Sequence, residues 1–591
     1  MGNGSLKKSD PSAYVGIDST WNSSTKHLSQ LPDIQKTQKN HKISQIKKYQ
    51  RRFQTLKSQN SPINHKSQRL TFNGIPINKT AAISQPHGRD IGEWSMAEDY
   101  VDKRDSHMGN DKFQGGVRLS DAIKLDIRLD KSPLVQSDSA ARHSMLVSIE
   151  ERLFGELDID TCKADIICII DVSFSMQGQK LDYVKKTLVS LLDFIKGSRM
   201  AIVIFGTDAD VLMNFKVVSD ASLPYITRII ESITEQGNTN ITAAVKVSQA
   251  LLKARCSRND VASMLLLSDG QHNTSDISID GMFDGDTMAA GTEYTLHAFG
   301  YGDDHDSKLM QAMSERKQGN YYFVNDIAKV NECFADCMGM ITTSLANKGK
   351  MTLKLHPTAY YPEVRILKTY GSYWQKASDT EAVIQLSNIY AGMKKDFGLE
   401  IELDASKKRV FGQTQAVLAT LKLEYTDMST SARSKLEKSL TVQIYPKGFQ
   451  VNVVTNLEVK KNIMRAAGGD AIKKAHEYNE QGRSKAGILL LDSLKTEFEK
   501  AQDVKDDIEI KSLIKEFDEI IKMLKNDLTG TPNMCSSTNY MMQKANVYRN
   551  QTSSPLSELT PCMYQSKRQH ALVTSMKLKS TPTYLPSLTK H

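Results

Sequence analysis

A continuous apolar segment at 164–170 begins a regular alternation of buried strands and amphipathic helices. Further apolar strands occur near 200–205, 262–267 and 294–299, and helical segments separate them. Strands that are apolar on both faces belong to open, mostly parallel sheets that helices cover on both sides. The pattern therefore predicts an α/β fold over 160–347, with a doubly wound, mostly parallel, Rossmann-like sheet.

The regions on either side of this domain have other patterns. Short alternating strands over 348–450 predict an accessory β-sandwich, and the strands of 111–159 are expected to join it. Residues 451–526 return to helical periods and predict a helical hairpin region. The two ends, 1–110 and 527–591, are polar and lack periodicity, so disordered tails are expected there.

Charge is distributed unevenly along the chain, whose net value is +9. Residues 1–89 hold 15 Lys and Arg against 3 Asp and Glu, and residues 527–591 hold 7 against 2. The centre of the chain is therefore acidic. Since the basic residues lie in the predicted tails, overall basicity does not indicate nucleic-acid binding, and no nucleic-acid partner is expected.

Cysteine usage and hydropathy indicate the compartment. The seven Cys are scattered and form no Cys-x-x-Cys pair, which is typical of reduced thiols in an intracellular protein. No apolar run approaches the roughly 18 residues that a membrane-spanning helix needs. These features predict a cytoplasmic protein.

The N-terminus leaves a membrane-associated alternative open. The first six residues nearly match the N-myristoylation pattern, with Gly2 as the acylated residue, although Ser5 falls one position early. One acyl chain alone binds membranes weakly, so the basic N-terminal residues would have to contribute. Peripheral contact with an anionic membrane surface is therefore a second expectation for this tail.

Five oxygen-bearing residues follow strands of the predicted sheet. They are Asp171, Ser173 and Ser175 after the first strand, with Thr239 and Asp269 in two further loops. Ligands of open α/β sheets bind at the carboxyl ends of the strands. Two carboxylates and three hydroxyls, without His or Cys, suit Mg²⁺ or Mn²⁺ better than Zn²⁺. So few protein ligands leave a coordination position for an outside oxygen, such as the carboxylate of a partner's Asp or Glu.

This set, in this order on alternating strands and helices, resembles the metal-ion-dependent adhesion site of von Willebrand factor type A (vWA) domains. The resemblance covers about residues 160–347. It implies that the three hydroxyls contact the metal directly, while the two carboxylates act through water and hydrogen bonds. The family usually has Gly between the two Ser residues, where this chain has Phe174.

A narrower resemblance involves the segments 299–306 and 319–323, which are similar to intracellular vWA proteins that often carry an N-terminal RING or U-box. The regions after the vWA domain resemble the Vwaint region found with such domains. Relatives with a RING act as ubiquitin ligases and hold a partner through the vWA region. Residues 1–110 contain no Cys, so they cannot form a zinc-bound RING. They also lack the packed core that a U-box needs.

The residues favour binding over catalysis. No Ser/His/Asp or Cys/His set falls together at the predicted sheet edge, so the hydroxyls are interpreted as metal ligands and not as nucleophiles. The prediction is a non-enzymatic, metal-dependent protein-binding or scaffold protein. Two alternatives remain: a substrate-recruiting subunit of a ubiquitin ligase system whose catalytic module lies elsewhere, and a membrane-peripheral scaffold.

Overall fold

The computed structural model describes most of the chain between residues 98 and 580. The described residues are 71–72, 75–76, 98–100, 118–137, 139–152, 162–269, 279–283, 293–303, 305–324, 330–404, 414–529, 534–553 and 564–580. All elements named below lie in the compact unit that begins at Phe72. Gly2 and the basic N-terminal segment lie outside the described residues, so their predicted roles stay predictions.

The first elements form a short helix and strands with an alternating burial pattern. They are α1 (Leu119–Ala122), β1 (Ile123–Leu129), β2 (Lys131–Ser132), β3 (Leu134–Val135) and β4 (Ala141–Glu151). Strand β1 alternates between buried and more exposed residues, as expected for a strand with one face on a core.

An alternation of strands and helices follows. In chain order it comprises β5 (Ala164–Asp171), α2 (Gln179–Leu192), β6 (Arg199–Phe205), β7 (Ala209–Val217), α3 (Leu223–Glu231), α4 (Ile241–Ala254), β8 (Val261–Ser268), α5 (Ile279–Phe283), β9 (Thr295–Tyr301), α6 (Ser307–Arg316), β10 (Tyr321–Val324) and α7 (Val330–Ile341). The six strands form one sheet in the order β10-β9-β8-β5-β6-β7. All neighbours are parallel except β6 and β7.

The central strand explains why this sheet is covered on both faces. All eight residues of β5 are buried. Helix α2 buries Leu181, Val184 and Leu188, which lie on one helical stripe, and these pack with the sheet in one apolar core. The predicted fold class, an α/β doubly wound sheet with accessory elements, is thereby confirmed.

A β-sandwich follows the α/β sheet and also includes strands that precede it. Its later strands are β11 (Ser344–Leu355), β12 (Glu363–Thr369), β13 (Trp374–Lys376), β14 (Glu381–Tyr390), β15 (Lys394–Asp404), β16 (Thr414–Asp427) and β17 (Arg433–Tyr445). One sheet has the order β13-β14-β11-β16-β17-β3 and the other β12-β15-β4-β1. The pair β4 and β15 is antiparallel, and Ser148 of β4 donates to Asp396 of β15 across 248 residues of sequence. The α/β sheet is thus inserted between strands of the sandwich.

The remaining elements are mainly helical. A short strand β18 (Val454–Thr455) pairs with β2, and the helices α8 (Leu457–Glu480), α9 (Ser484–Lys500), α10 (Ile508–Leu528), α11 (Met534–Asn550) and α12 (Lys567–Ser580) follow. The side chain of Asn456 accepts from the backbone at the start of α8, and Asp507 does the same for α10.

Three predicted boundaries differ from the structure. Helices α11 and α12 lie inside 527–591, where the sequence predicts a disordered tail. Strand β11 begins at Ser344, inside the range assigned to the α/β domain, because α7 ends at Ile341. Within the predicted N-terminal tail, Glu98 pairs with Arg199 at 2.9 Å, and Asp99 accepts from the backbone of Val217.

The C-terminal helices are ordered by specific polar partners and by close helix packing. Lys544 of α11 pairs with Glu516 of α10, and both side chains are almost fully buried. A Cβ at Gly469 of α8 would lie 2.8 Å from the backbone nitrogen of Arg549, so the missing side chain lets α8 and α11 approach. Among the described helices, none combines the length and apolarity needed to cross a bilayer.

Candidate metal centre

The candidate site lies at the carboxyl edge of the α/β sheet. Asp171 is the last residue of β5, and Ser268 is the last residue of β8. The two strands are parallel neighbours, with Ile170 opposite Leu267. Both strands therefore end at the same edge, which brings Asp171 beside the segment that carries Asp269.

Asp171 is fixed from two sides. Its Oδ1 accepts from the backbone nitrogen of Ser173 at 2.9 Å, and the hydroxyl of Ser268 donates to its Oδ2. Burial raises the pKa of Asp171 to about 6, against the opposing effect of the hydrogen bonds from Ser173 and Ser268, and the charge of Asp269 adds to the rise. The carboxylate is thus held rigidly beneath the loop that follows β5.

A short hydrogen-bonded chain connects this loop to Asp269. The hydroxyl oxygens of Ser173 and Ser175 lie 3.0 Å apart, and the hydroxyl of Ser175 donates to Oδ1 of Asp269 at 2.8 Å. Ser173 and Asp269 are buried, whereas Ser175 is exposed. The hydroxyl of Ser175 therefore lies near the surface, and the buried carboxylate of Asp269 holds it from below.

Thr239 lies in the loop between α3 and α4. A hydrogen bond holds this loop against the loop that follows β5. The backbone nitrogen of Phe174 donates to the carbonyl of Gly237 at 3.2 Å. Gly237 has a φ of +74°, and a Cβ there would lie 2.7 Å from the side chain of Thr207, so the turn requires glycine. Asn240 caps α4 by accepting from Ala243. Buried Thr239 is thereby placed in the loop adjoining the two serines.

Phe174 occupies the turn between the two serines. It begins a short 3₁₀ turn, Phe174–Met176, and its side chain is 64% exposed. Its backbone is outside the left-handed region that would favour glycine. The loop therefore accepts a side chain at this position, and the aromatic ring projects into solvent beside the cluster of oxygens.

Two residues of the site were not identified from the sequence. One is Ser268, described above, and the other is Lys180, whose ammonium donates to Oδ2 of Asp269. Lys180 lies in the first turn of α2. A positive charge in the first turn of a helix is unfavourable because it opposes the helix dipole. This unfavourable position is the sign in the sequence that the lysine has an anionic partner.

An acidic segment with a histidine follows β9, and two of its described side chains have structural partners. Asp306 caps α6 by accepting from the backbone nitrogen of Leu309 at 2.9 Å. The buried ring of His305 bonds to the carbonyl of Gly302 at 2.7 Å and to the hydroxyl of Tyr321 at 2.6 Å. These contacts give Asp306 and His305 structural roles in this loop.

The donor chemistry of the site fits a hard divalent cation. Asp171, Ser173, Ser175 and Asp269 form one hydrogen-bonded group of oxygen donors, with Thr239 in the adjoining loop. Among the described residues, no group of three or more His, Cys, Asp or Glu side chains is placed to hold a metal ion, either at this site or at another one. The residues present thus suit Mg²⁺ or Mn²⁺ and offer none of the nitrogen or sulfur that Zn²⁺ prefers.

Two known proteins are similar to part of this chain in sequence. The chain is 23% identical over 314 residues to an uncharacterized protein of Synechocystis sp., covering 51% of this chain and 71% of that protein. It is 20% identical over 253 residues to the E3 ubiquitin-protein ligase WAV3 of Arabidopsis thaliana, covering 42% of this chain and 32% of the ligase. The chain therefore spans about a third of that ligase.

A solved structure described as von Willebrand factor type A from Catenulispora acidiphila is similar over 73% of this chain and 98% of that chain, with a TM-score of 0.52. Its sequence identity is 13%, so the likeness concerns the fold alone. The family profile described as von Willebrand factor type A domain matches residues 164–323. This match runs from the first residue of β5 almost to the end of β10, and it includes all five predicted site residues. Residues 164–323 of this chain therefore form a von Willebrand factor type A domain.

Proposed function

We propose that this protein is a non-enzymatic binding or scaffold protein that captures a partner through a metal-bridged contact at the edge of its vWA domain. The observation that carries the proposal is the hydrogen-bonded group of Asp171, Ser173, Ser175 and Asp269. Such a group supports Mg²⁺ or Mn²⁺ as cofactor. The match of residues 164–323 to the von Willebrand factor type A domain, whose adhesion site this set of residues resembles, supports a role in protein binding.

Each residue has a distinct part in the proposal. The hydroxyls of Ser173, Ser175 and Thr239 would hold the cation directly, and Asp171 and Asp269 would orient these ligands and supply negative charge. When bound, the cation would offer a Lewis-acidic position to an Asp or Glu carboxylate of the partner. The hydrogen bonds from Ser268 and from the backbone of Ser173 keep Asp171 in place, so little ordering would be needed on binding.

Calorimetry with Mg²⁺ or Mn²⁺ tests the metal site directly. The double variant Ser173→Ala/Ser175→Ala removes two proposed ligands and should lose measurable binding, whereas Ser378→Ala, at an exposed position on the sandwich, should bind like wild type. A partner recovered with the wild-type protein should be released by a chelator and absent from the double variant. Equal metal binding by the double variant would refute the proposal.

A second candidate function is substrate recruitment for ubiquitylation. The match over 253 residues to the ligase WAV3 favours it. In this case the chain would hold the substrate while another subunit supplies the catalytic module. Purification of the full chain from its own cells should then recover ubiquitin ligase components together with the substrate. If repeated purifications recovered no such components, substrate recruitment would be rejected in favour of metal-dependent partner binding alone.

A further inference from the structure

The ammonium of Lys180 is a built-in cation at the metal centre. It donates to Oδ2 of Asp269, while Oδ1 of the same carboxylate accepts from Ser175 at 2.8 Å. The Asp269 side chain is fully buried and that of Lys180 is 32% exposed. The positive charge therefore lies at the boundary between the buried carboxylates and the surface that a ligand would approach.

The position of Lys180 is held by the fold around it. The residue lies in the first turn of α2, where a cation opposes the helix dipole, so its pairing with Asp269 offsets that cost. A Cβ built at Gly302 would lie 3.9 Å from Nζ of Lys180, so the ammonium also lies close to the loop that follows β9. Lys180 thus pairs with the loop that follows β8 and lies near the loop that follows β9.

Charge determines what this lysine does to binding. Asp171 and Asp269 carry two negative charges, and Lys180 neutralises one of them. A divalent cation would leave the site with one net positive charge, whereas the same site without the lysine would be neutral. The lysine therefore repels an incoming cation and attracts an incoming carboxylate.

We propose that Lys180 sets the anion preference of the metal centre by weakening metal binding and strengthening carboxylate binding. This inference rests on the proposed function, since it needs the metal and the carboxylate at the same site. It assigns to one side chain two effects of opposite sign. If Lys180 only stabilised the loop, its loss would not strengthen metal binding while weakening carboxylate binding.

Substitutions of Lys180 in the full chain separate the two effects. Lys180→Gln removes the charge and keeps an N–H donor for Asp269, and Lys180→Met serves as a second neutral variant. Lys180→Arg keeps the charge. Lys186→Met is the matched control, because it removes the same charge from the same helix, where Lys186 lies 5.5 Å from the ring centroid of Tyr183.

The probes are Mn²⁺ alone, measured by calorimetry, and acetate added to the Mn²⁺-loaded protein, measured by water-proton relaxation. Lys180→Gln should bind Mn²⁺ about tenfold more tightly and acetate about tenfold more weakly than wild type, whereas Lys180→Arg and Lys186→Met should match wild type. The role of Lys180 would be overturned if the affinities for Mn²⁺ and acetate changed in the same direction, or if neither affinity changed. Absence of Mn²⁺ binding by the wild-type protein would instead overturn the proposed function on which this inference rests.

Discussion

The hydroxyl of Ser175 donates to Oδ1 of Asp269 at 2.8 Å, although 94 residues separate them in sequence. The contact depends on sheet order, because β5 and β8 are parallel neighbours that end at the same edge. It joins the motif that follows the first strand to the carboxylate that follows the fourth strand of the same sheet. Predictions for the candidate metal centre therefore involve the residues that follow both strands.

Asp269→Asn should weaken metal binding while preserving the fold, because the amide keeps the shape of the carboxylate but removes its charge. A ligand at 100 times its dissociation constant stabilises the folded state by about 2.7 kcal/mol. Thermal melts with increasing MgCl₂ should therefore show a clear rise for wild type and a much smaller rise for the variant. Asp193→Asn, with a 55% exposed side chain, is the control. A variant that gains as much stability as wild type would contradict the assignment of Asp269.

Phe174→Ala should affect partner binding and little else. The side chain is 64% exposed, so its loss should change the free energy of unfolding by less than about 0.5 kcal/mol. Exposed aromatic side chains beside a binding site often contribute a large share of affinity. We expect unchanged Mn²⁺ affinity and at least a tenfold loss for the captured partner. Phe449→Ala, which removes a 53% exposed ring from another part of the surface, should leave partner affinity unchanged. Equal partner affinity in both variants would show that Phe174 is not part of the interface.

Asp336 of α7 should be replaceable by Asn but not by Leu. Its buried carboxylate accepts from Tyr322 at 2.8 Å, from Gln565 at 2.8 Å, from Gln569 at 3.2 Å and from the hydroxyl of Ser553. Leu would leave these donors unpaired at a cost of about 3 kcal/mol or more, whereas Asn can pair with amide donors and rotatable hydroxyls. Urea unfolding should place Asp336→Asn within about 1 kcal/mol of wild type.

The same substitution has a pH signature. Burial raises the pKa of Asp336 above its unfolded value of about 3.9, against the opposing effect of its hydrogen bonds. The folded protein therefore keeps this proton at pH values where the unfolded chain has released it, so stability falls as pH rises through that interval. As the pH rises through this interval, the free energy of unfolding of wild type should fall relative to that of Asp336→Asn. A pH-independent difference would contradict the raised pKa.

Lys395 should give a pH dependence of the opposite sign. Its ammonium donates to the carbonyls of Asn550 at 2.7 Å and Gln551 at 2.9 Å. Burial lowers the pKa of Lys395 to about 7, and the charge of Arg465 lowers it further, while Asp336 opposes the shift. Between about pH 7 and the unfolded value near 10.4, the unfolded chain binds the extra proton, so stability from this group rises with pH.

Urea unfolding of wild type and Lys395→Met from about pH 7 to pH 9 isolates this effect. The difference between them should grow in favour of wild type by up to about 1.4 kcal/mol per pH unit. The neutral amine still donates to both carbonyls, so the contact survives the loss of the proton. Lys394→Met, at the exposed neighbouring position, should show no such trend. A constant difference for Lys395→Met would indicate that this lysine titrates as it does in the unfolded chain.

Local pattern was sufficient to predict the central α/β fold. The buried residues of β5 are contiguous in sequence, and the polar residues that follow lie at strand ends, so periodicity and position indicate both the sheet and the edge that carries the candidate site. Ser268 and Lys180 could not be assigned from pattern alone. Their roles depend on contacts with Asp171 and Asp269 that form only once the strands are adjacent.

The C-terminal helices show the opposite case. Residues of α11 such as Asn539, Gln543 and Asn546 are buried although they are polar, and a polar composition indicates exposure or disorder. Their partners are distant: Asn539 donates to the carbonyl of Asp303 at 2.8 Å. A single sequence carries little signal for such pairs. The adjacent glycines Gly468 and Gly469 in α8 were the clearest available sign of close helix packing.

The insertion of the vWA domain between strands of the sandwich imposes an order on biosynthesis. Ser148 leaves the ribosome 248 residues before its partner Asp396. At roughly 5 to 20 residues per second, the early strands wait about 10 to 50 s for the rest of their sheet. The α/β sheet is contiguous in sequence and can fold during that wait. The nascent strands β1 and β4 are then the segments that need protection from premature pairing, by a chaperone or by the surface of the newly folded domain.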